Sequence, residues 1–278
     1  MKILILGSLT IDYIDHTKKP GGPALYCSIA SRFLDIEYYC YGVMPREYEW
    51  DKPRGEFIIA DGPVFAHEYI GDRRISKLLA KPTKIVDIAI PSDITACIIS
   101  PVFNEFDLCV VDKILRKIPC VVDIQGFIRS TDENYRVFLR EPEDRLIKIL
   151  DKARLVHVSA EELGVMKEIP NTLVIITYGS EGSRILYWGN DIFVPTYPAM
   201  GDPTGAGDFF TTITFVKYQE CQDIVESVIY ASAVTSLFVE GRIARDVAAL
   251  YKPKSLMNEI RRRMNVIKQK MERIRGQK

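Results

Sequence analysis

The 278-residue chain has little of what metal centres, bilayers and nucleic acids require. Its three histidines, His16, His67 and His157, are too few and too scattered for a metal site. Its six cysteines (Cys27, Cys40, Cys97, Cys109, Cys120, Cys221) stand singly, with no CxxC and no Cys/His pairing at zinc spacing, and read as buried small hydrophobes in a reducing compartment. No apolar run approaches the roughly 20 residues that cross a bilayer. The opening MKILILG carries a four-residue apolar run, too short for a signal peptide, so a cytoplasmic protein with no membrane partner is expected. Thirty-seven basic residues balance thirty-seven acidic ones, leaving no global bias toward nucleic acid. There is no GxxxxGK[ST] loop, no GxGxxG after a strand and no G-x-S-x-G elbow, which argues against P-loop, dinucleotide-binding and serine-hydrolase readings. Internal repeats and low-complexity linkers are also missing.

What is present is an alternation of short apolar runs with helical stretches. The runs 2–6, 37–41, 96–100, 120–123, 155–158 and 173–177 are strand-like, and 107–117 and 142–152 are helical. Such alternation predicts an α/β fold with a mostly parallel sheet covered on both faces, and 47% hydrophobic residues are ample for its core. Residues 46–87 break the rhythm: 57–60 and 65–70 flank Asp61-Gly62-Pro63 like the arms of a hairpin, which predicts a small antiparallel subdomain. A second hairpin, RILYWGNDIFVP, is expected to turn at Gly189-Asn190 and extend the sheet edge. The charge balance is uneven. Residues 254–278 hold nine basic residues against Glu259 and Glu272, leaving −7 on the rest. Leu256, Ile260, Met264, Ile267, Met271 and Ile274 recur there at spacings of three and four, so this is an amphipathic helix expected to dock on the body.

The densest signal is Gly201-Asp202-Pro203-Thr204-Gly205-Ala206-Gly207-Asp208 followed by the apolar run FFTTITFVKY. Glycines flanking an alanine allow a tight turn in which successive N–H groups point at one spot as a helix begins near Ala206, a natural anion site. Asp208 falls in the first turn beside it. A carboxylate there repels phosphate, which suits a group that must take a proton from an attacking hydroxyl. A glycine-rich turn with an ordinary first-turn Asp is the plainer account of a bare GxGD.

This string resembles the second signature of the ribokinase-like (PfkB) carbohydrate kinases. The resemblance implies Asp208 as catalytic base, an anion hole from the amides of Gly205, Ala206 and Gly207, and Thr204 with Gly205 against the nucleotide. Gly21-Gly22 before a helical run is similar to the family's first motif, which contacts the sugar, although Tyr26 stands where Asn is frequent. Asp12 in Gly7-Ser8-Leu9-Thr10-Ile11-Asp12 matches a G-x-x-x-x-D pattern that binds substrate hydroxyls; a turn carboxylate is the plain alternative. Gln125 and Arg129 in D-x-Q-G-x-x-R resemble archaeal members and plant inositol kinases, and imply polyol and phosphate contacts; a strand-terminal turn accounts for them nearly as well. Thr177, Gly179 and Gly182 match T-x-G-x-x-G, implying contacts to nucleotide phosphates and adenosine. Glu162 aligns with an acid that organises Mg²⁺ through water, with Ser159 in place of the usual Asn; without the resemblance, Ser159 and Glu162 are a helix cap. The small-residue helix 224–238 is similar to the one beside which adenine lies.

The resemblance therefore implies a ribokinase-like three-layer α/β/α domain over 1–278, with lid strands around 11–17 and 46–87 that close over substrate and offer a surface for a homodimer. It implies ATP and Mg²⁺ as cofactors and a small sugar or myo-inositol-like polyol as substrate. A nucleoside kinase of the same fold, or a non-catalytic sugar- or nucleotide-binding regulator, are the alternatives. An unperturbed aspartate titrates near a pKa of about 3.9, so Asp208 is expected to be ionised at neutral pH.

Overall fold

A computed structural model describes residues 1–15, 17–70, 73–248 and 253–276. In chain order the elements are β1 (Lys2–Leu6), β2 (Thr10–Ile14), β3 (Thr17–Gly21), α1 (Pro23–Phe33), β4 (Glu37–Pro45), β5 (Gly55–Ala60), β6 (Val64–Ile70), β7 (Arg73–Ala80) and β8 (Ala96–Ile99). There follow α2 (Leu108–Leu115), β9 (Cys120–Asp123), α3 (Gln125–Ile128), β10 (Arg129–Thr131), β11 (Val137–Leu139), α4 (Asp144–Leu150), β12 (Leu155–Ser159), α5 (Ala160–Leu163) and β13 (Val174–Thr177). The hairpin β14 (Gly182–Tyr187) and β15 (Asn190–Pro195) and the helices α6 (Ala206–Cys221), α7 (Ile224–Val239) and α8 (Pro253–Arg275) complete the chain.

Nine strands form the central sheet in the order β15-β14-β13-β12-β9-β8-β1-β4-β5. It is parallel from β5 to β13 and antiparallel over the β14–β15 hairpin. Side chains alternate across a strand, so β1 feeds two cores. Ile3 and Ile5 pack on the face covered by α1, α6, α7 and α8, while Leu4 and Leu6 pack on the face covered by α2 and α4. That two-sided burial is why β8 and the interiors of β1 and β9 are apolar, with Lys2 and Asp123 at the strand ends. The arrangement is the expected three-layer α/β/α fold.

The lid is a separate four-stranded sheet, β3-β2-β6-β7, with β2 and β6 parallel and the outer pairs antiparallel. Here the sequence reading needs correction, because 57–60 and 65–70 are not two arms of a hairpin. β5 pairs with β4 at the edge of the central sheet and β6 pairs with β2 in the lid, so the turn at Gly62 passes the chain between sheets. The lid hairpin is β6–β7. Of the expected lid segments, residues 16, 71 and 72 lie outside the described residues. The lid meets the body through a small cluster of Phe65, Leu78 and Val102. Its β3 edge carries Lys18, Lys19 and Pro20, residues that discourage strand pairing with another chain.

The β14–β15 turn also shifts by one residue. Tyr187 pairs with Asn190, which makes Trp188-Gly189 the turn, with φ of 47° and 78°. Two positive φ values are what a tight hairpin requires. Of the six cysteines, Cys109 and Cys221 are exposed and the other four are buried. The basic terminal helix α8 docks as expected through Ile260, Ile267 and Met271, although Ile274 at the end of its stripe is exposed. Buried Arg263 adds a fork to Glu240 with a hydrogen bond to Ser236 Oγ, and its guanidinium lies 4.4 Å from the Tyr197 ring centroid. No described helix is long and apolar enough to cross a membrane.

Candidate active site

The residues that carry chemistry collect at the carboxyl ends of β1, β8, β9, β12 and β13, where an open α/β sheet leaves a crevice. Asp208, in the first turn of α6, is buried there and accepts a hydrogen bond from Ser100 Oγ at 2.7 Å. Gln125 Nε2 approaches the same oxygen, Oδ1, at 3.4 Å. Among the described residues no hydrogen bond reaches Oδ2, which is left for another donor. Burial, then the Asp123 charge, push the Asp208 pKa up to about 7, against the pull of Ser100, His157 and Arg129. The expectation of a fully ionised carboxylate at neutral pH is therefore corrected, because water is largely excluded around it.

Behind Asp208 lies a buried chain. Asp123 accepts from the Gln125 N–H at 2.9 Å and contacts His157 Nδ1 at 2.7 Å, while His157 Nε2 lies 3.1 Å from Thr177 Oγ1. Burial alone lowers a histidine pKa, but the Asp123 charge and hydrogen bond outweigh it and raise that of His157. Glu162 closes a capping box with Ser159: its carboxylate accepts the Ser159 N–H at 2.7 Å and its own N–H donates to Ser159 Oγ at 3.3 Å. Burial, then the Asp123 charge, raise its pKa. Its cap role and a role toward a metal are compatible, since only Oε2 is used in the cap. Arg129 donates to the Val102 carbonyl at 3.1 Å.

The 201–208 loop supplies the anion side. Gly205 has a φ of +75°, and a Cβ there would stand 2.3 Å from the Tyr26 ring. Tyr26, noticed in sequence only as a departure from Asn, is thus the surface on which the loop lies. Gly207 differs: its φ is not positive, and a Cβ would meet only His157 Cε1 at 3.9 Å. The Ala206 N–H, assigned to the anion hole from sequence, is donated to the Pro203 carbonyl at 2.9 Å. The amides of Gly205, Gly207 and Asp208 have no acceptor among the described residues, so these are the free donors at this helix N-terminus. Thr204 donates its own N–H to Asp202 Oδ1 at 2.9 Å.

On the lid side, Asp12 Oδ1 lies 3.7 Å from His67 Nε2, whose Nδ1 is 2.9 Å from Ser76 Oγ. A Cβ on Gly21 would fall 2.2 Å from Asp12 Oδ2, so that glycine lets the carboxylate lie against the β3 backbone. Gly22, with φ of +93°, brings the α1 N-terminus onto the Ser8 carbonyl. Gly182 fits under the Val194 carbonyl and, with Gly179 at φ +57°, shapes the loop after β13. Beyond that loop a groove of about 610 Å³ is lined by Ser180, Glu181, Pro198, Met200, Glu240 and Lys270 among others. A larger groove of about 780 Å³, between α2 and α4, shares no lining residue with this site.

Sequence reading missed Ser100, the Asp123–His157–Thr177 chain, His67 with Ser76, and Arg245. Ser100, His157, His67 and Arg245 lie far in sequence from the groups they support and have no motif of their own, while Asp123 and Thr177 stand in quoted motifs and only their link through His157 was hidden.

Comparison with known proteins bears on the fold. Residues 146–248 match the model of the pfkB family carbohydrate kinases. The fold is also that of a pyrophosphate-dependent kinase in the ribokinase family complexed with a pyrophosphate analog and myo-inositol (TM-score 0.68, 17% identity, 86% of this chain and 95% of that one). An Arabidopsis thaliana ribokinase complexed with ribose and ATP is similar as well (TM-score 0.64, 14% identity, 93% and 98%). An inositol 3-kinase from Zea mays is 34% identical over 95 residues, 32% of this chain; the match takes in only 25% of that protein's length. The architecture is thus that of the ribokinase-like α/β kinases. Both the family match over residues 146–248 and the fold resemble the ribokinase-like (PfkB) carbohydrate kinases.

Proposed function

We propose that the protein is an ATP-dependent kinase that phosphorylates a hydroxyl of a small sugar or cyclic polyol, with a myo-inositol-like cyclitol the favoured acceptor. The observation that carries this reading is the pairing of Asp208, its Oδ2 free, with the unpartnered amides of Gly205, Gly207 and Asp208 on one helix turn. Asp12 and Gln125 hold the acceptor by its hydroxyls. As the oxygen attacks, its proton passes to Asp208 Oδ2, and a carboxylate with a pKa raised toward neutrality is the better acceptor for it. The free amides donate to the phosphoryl oxygens as their charge develops.

The apolar Pro198 and the 92%-exposed Met200 in the groove beyond Thr177–Gly182 suit a flat base. Pyrophosphate has no part that would use such a wall, which supports ATP as donor. Among the described residues no group of three or more His, Cys, Asp or Glu is arranged to hold a metal alone. Mg²⁺ keeps most of its waters and takes substrate phosphate oxygens, and Glu162, whose Oε1 is not used in the cap, is the residue that would accept from such a water. When bound, Mg²⁺ offsets the charge on the leaving diphosphate.

The decisive experiment is a turnover screen of cyclitols, sugars and nucleosides with Mg²⁺ and either ATP or pyrophosphate. ADP release with a cyclitol or sugar is expected. Turnover of nucleosides alone, or with pyrophosphate alone, would replace the corresponding half of the reading, and none with any pair would leave a binding protein.

A further inference from the structure

Arg245, in the loop after α7, holds the 201–208 loop by its carbonyl edge. Its Nη1 donates to the Thr204 carbonyl at 2.7 Å, its Nη2 donates to the Asp202 carbonyl, and Nη1 lies 3.2 Å from Asp202 Oδ2. The guanidinium carbon sits 4.3 Å from the centroid of the Phe238 ring, which stacks on Phe209 of α6. Three oxygens of one loop thus converge on a single planar cation that is itself fixed on the core. A lysine, with one point of charge, does not span two carbonyls in this way.

We propose that Arg245 is the positioning residue of the phosphoryl-binding loop, an inference that rests on the kinase reading given above. In a trans peptide the C=O and the following N–H point in opposite directions. Fixing the Thr204 carbonyl on Arg245 therefore turns the Gly205 N–H away from Arg245 and keeps it free. Arg245 also neutralises the Asp202 carboxylate, which would otherwise repel an incoming phosphate. Burial alone would raise the Asp202 pKa, but the Thr204 hydrogen bonds and the Arg245 charge hold it below its usual range. Tyr26 bounds the loop at Gly205, so the loop is confined both by a ring and by a cation.

The test uses the full chain with Arg245→Ala and Arg245→Lys. Inorganic pyrophosphate serves as the probe, and its protection of the 205–208 amides is followed by hydrogen exchange. In the wild type it should slow exchange at those amides; in Arg245→Ala the concentration needed should rise about tenfold or more, and kcat should fall by roughly 10² with the acceptor KM nearly unchanged. Free guanidinium at tens of millimolar should restore part of both in Arg245→Ala, which a general loss of structure would not permit. Should Arg245→Ala fail to fold, Arg245→Lys, which keeps the charge near Phe238, carries the same test. Unchanged protection and kcat in a folded variant would overturn the proposal, as would a rise in acceptor KM without a fall in kcat, or a wild type whose 205–208 amides ignore pyrophosphate. A wild type that turns over no alcohol sinks the kinase reading alone, because the exchange measurement still decides what Arg245 holds.

Discussion

Asp208 is a carboxylate whose surroundings work against its charge. Its folded pKa of about 7 lies above the roughly 3.9 of an unfolded aspartate. Ionisation therefore opposes folding, with a penalty that is absent below pH ~4, grows as pH rises and is complete above ~7, at most about 4 kcal/mol. Asp208→Asn should melt higher than the wild type at pH 8, the gap closing toward pH 4, while kcat falls by about 10²–10⁴. Thermal scans at the two pH values check the first part, and a mutant no more stable at pH 8 would mean the carboxylate is better solvated than its burial implies. In the wild type kcat/KM should rise with pH through about 7 and then level off, as expected for a base that must be ionised in the free enzyme.

At the scale of elements, the start of α6 shows two glycines with two different reasons to be glycine. Gly205 is left-handed and lies against the Tyr26 ring, so its requirement is steric. Gly207 has ordinary backbone and room for a methyl group, so its requirement, if catalytic, comes from what must sit above it. Gly205→Ala should lose both melting temperature and turnover. Gly207→Ala should keep its melting temperature and lose turnover by roughly 10², because the added methyl group would hold the phosphoryl oxygens off the loop amides and weaken a donor without removing it. Full activity in a folded Gly207→Ala protein would make this loop only the start of a helix. The alternation along β1, Ile3 and Ile5 to one face and Leu4 and Leu6 to the other, holds these loops at one end of the sheet.

For the whole molecule, the relation of lid to body is expected to change when substrate binds. The cluster joining them has only three buried members, Phe65, Leu78 and Val102, and a contact that small allows opening at little cost. Asp12 and His67 approach each other from neighbouring lid strands, beside the acceptor end of the site. Closure excludes water, which would otherwise compete for the phosphoryl group. Amide exchange over β2 and β6 should slow when a polyol and a non-hydrolysable ATP analogue are both bound, and unchanged exchange would mean the lid is static. Lys18, Lys19 and Pro20 guard the β3 edge, so a homodimer through the lid is expected to use another part of that sheet.

The sequence by itself determined the elements whose signal is local. Apolar runs of four or five residues gave the buried strands β1, β8 and β9, and the Gly205-Ala206-Gly207-Asp208 string placed the start of α6 and its acid, because backbone freedom and helix dipole act within one turn. Tertiary structure decided what depends on neighbours distant in the chain. It sent β5 and β6 to different sheets, since a turn signal at Gly62 does not say which strand lies across from which. It committed the Ala206 amide to Pro203 and brought Ser100 onto Asp208 from 108 positions away. It also buried Asp208 and brought the Asp123 charge near it, which together lift its pKa against the pull of His157 and Arg129. Charge, burial and hydrogen bonding at a site are sums over space, and only the fold fixes which residues enter the sum.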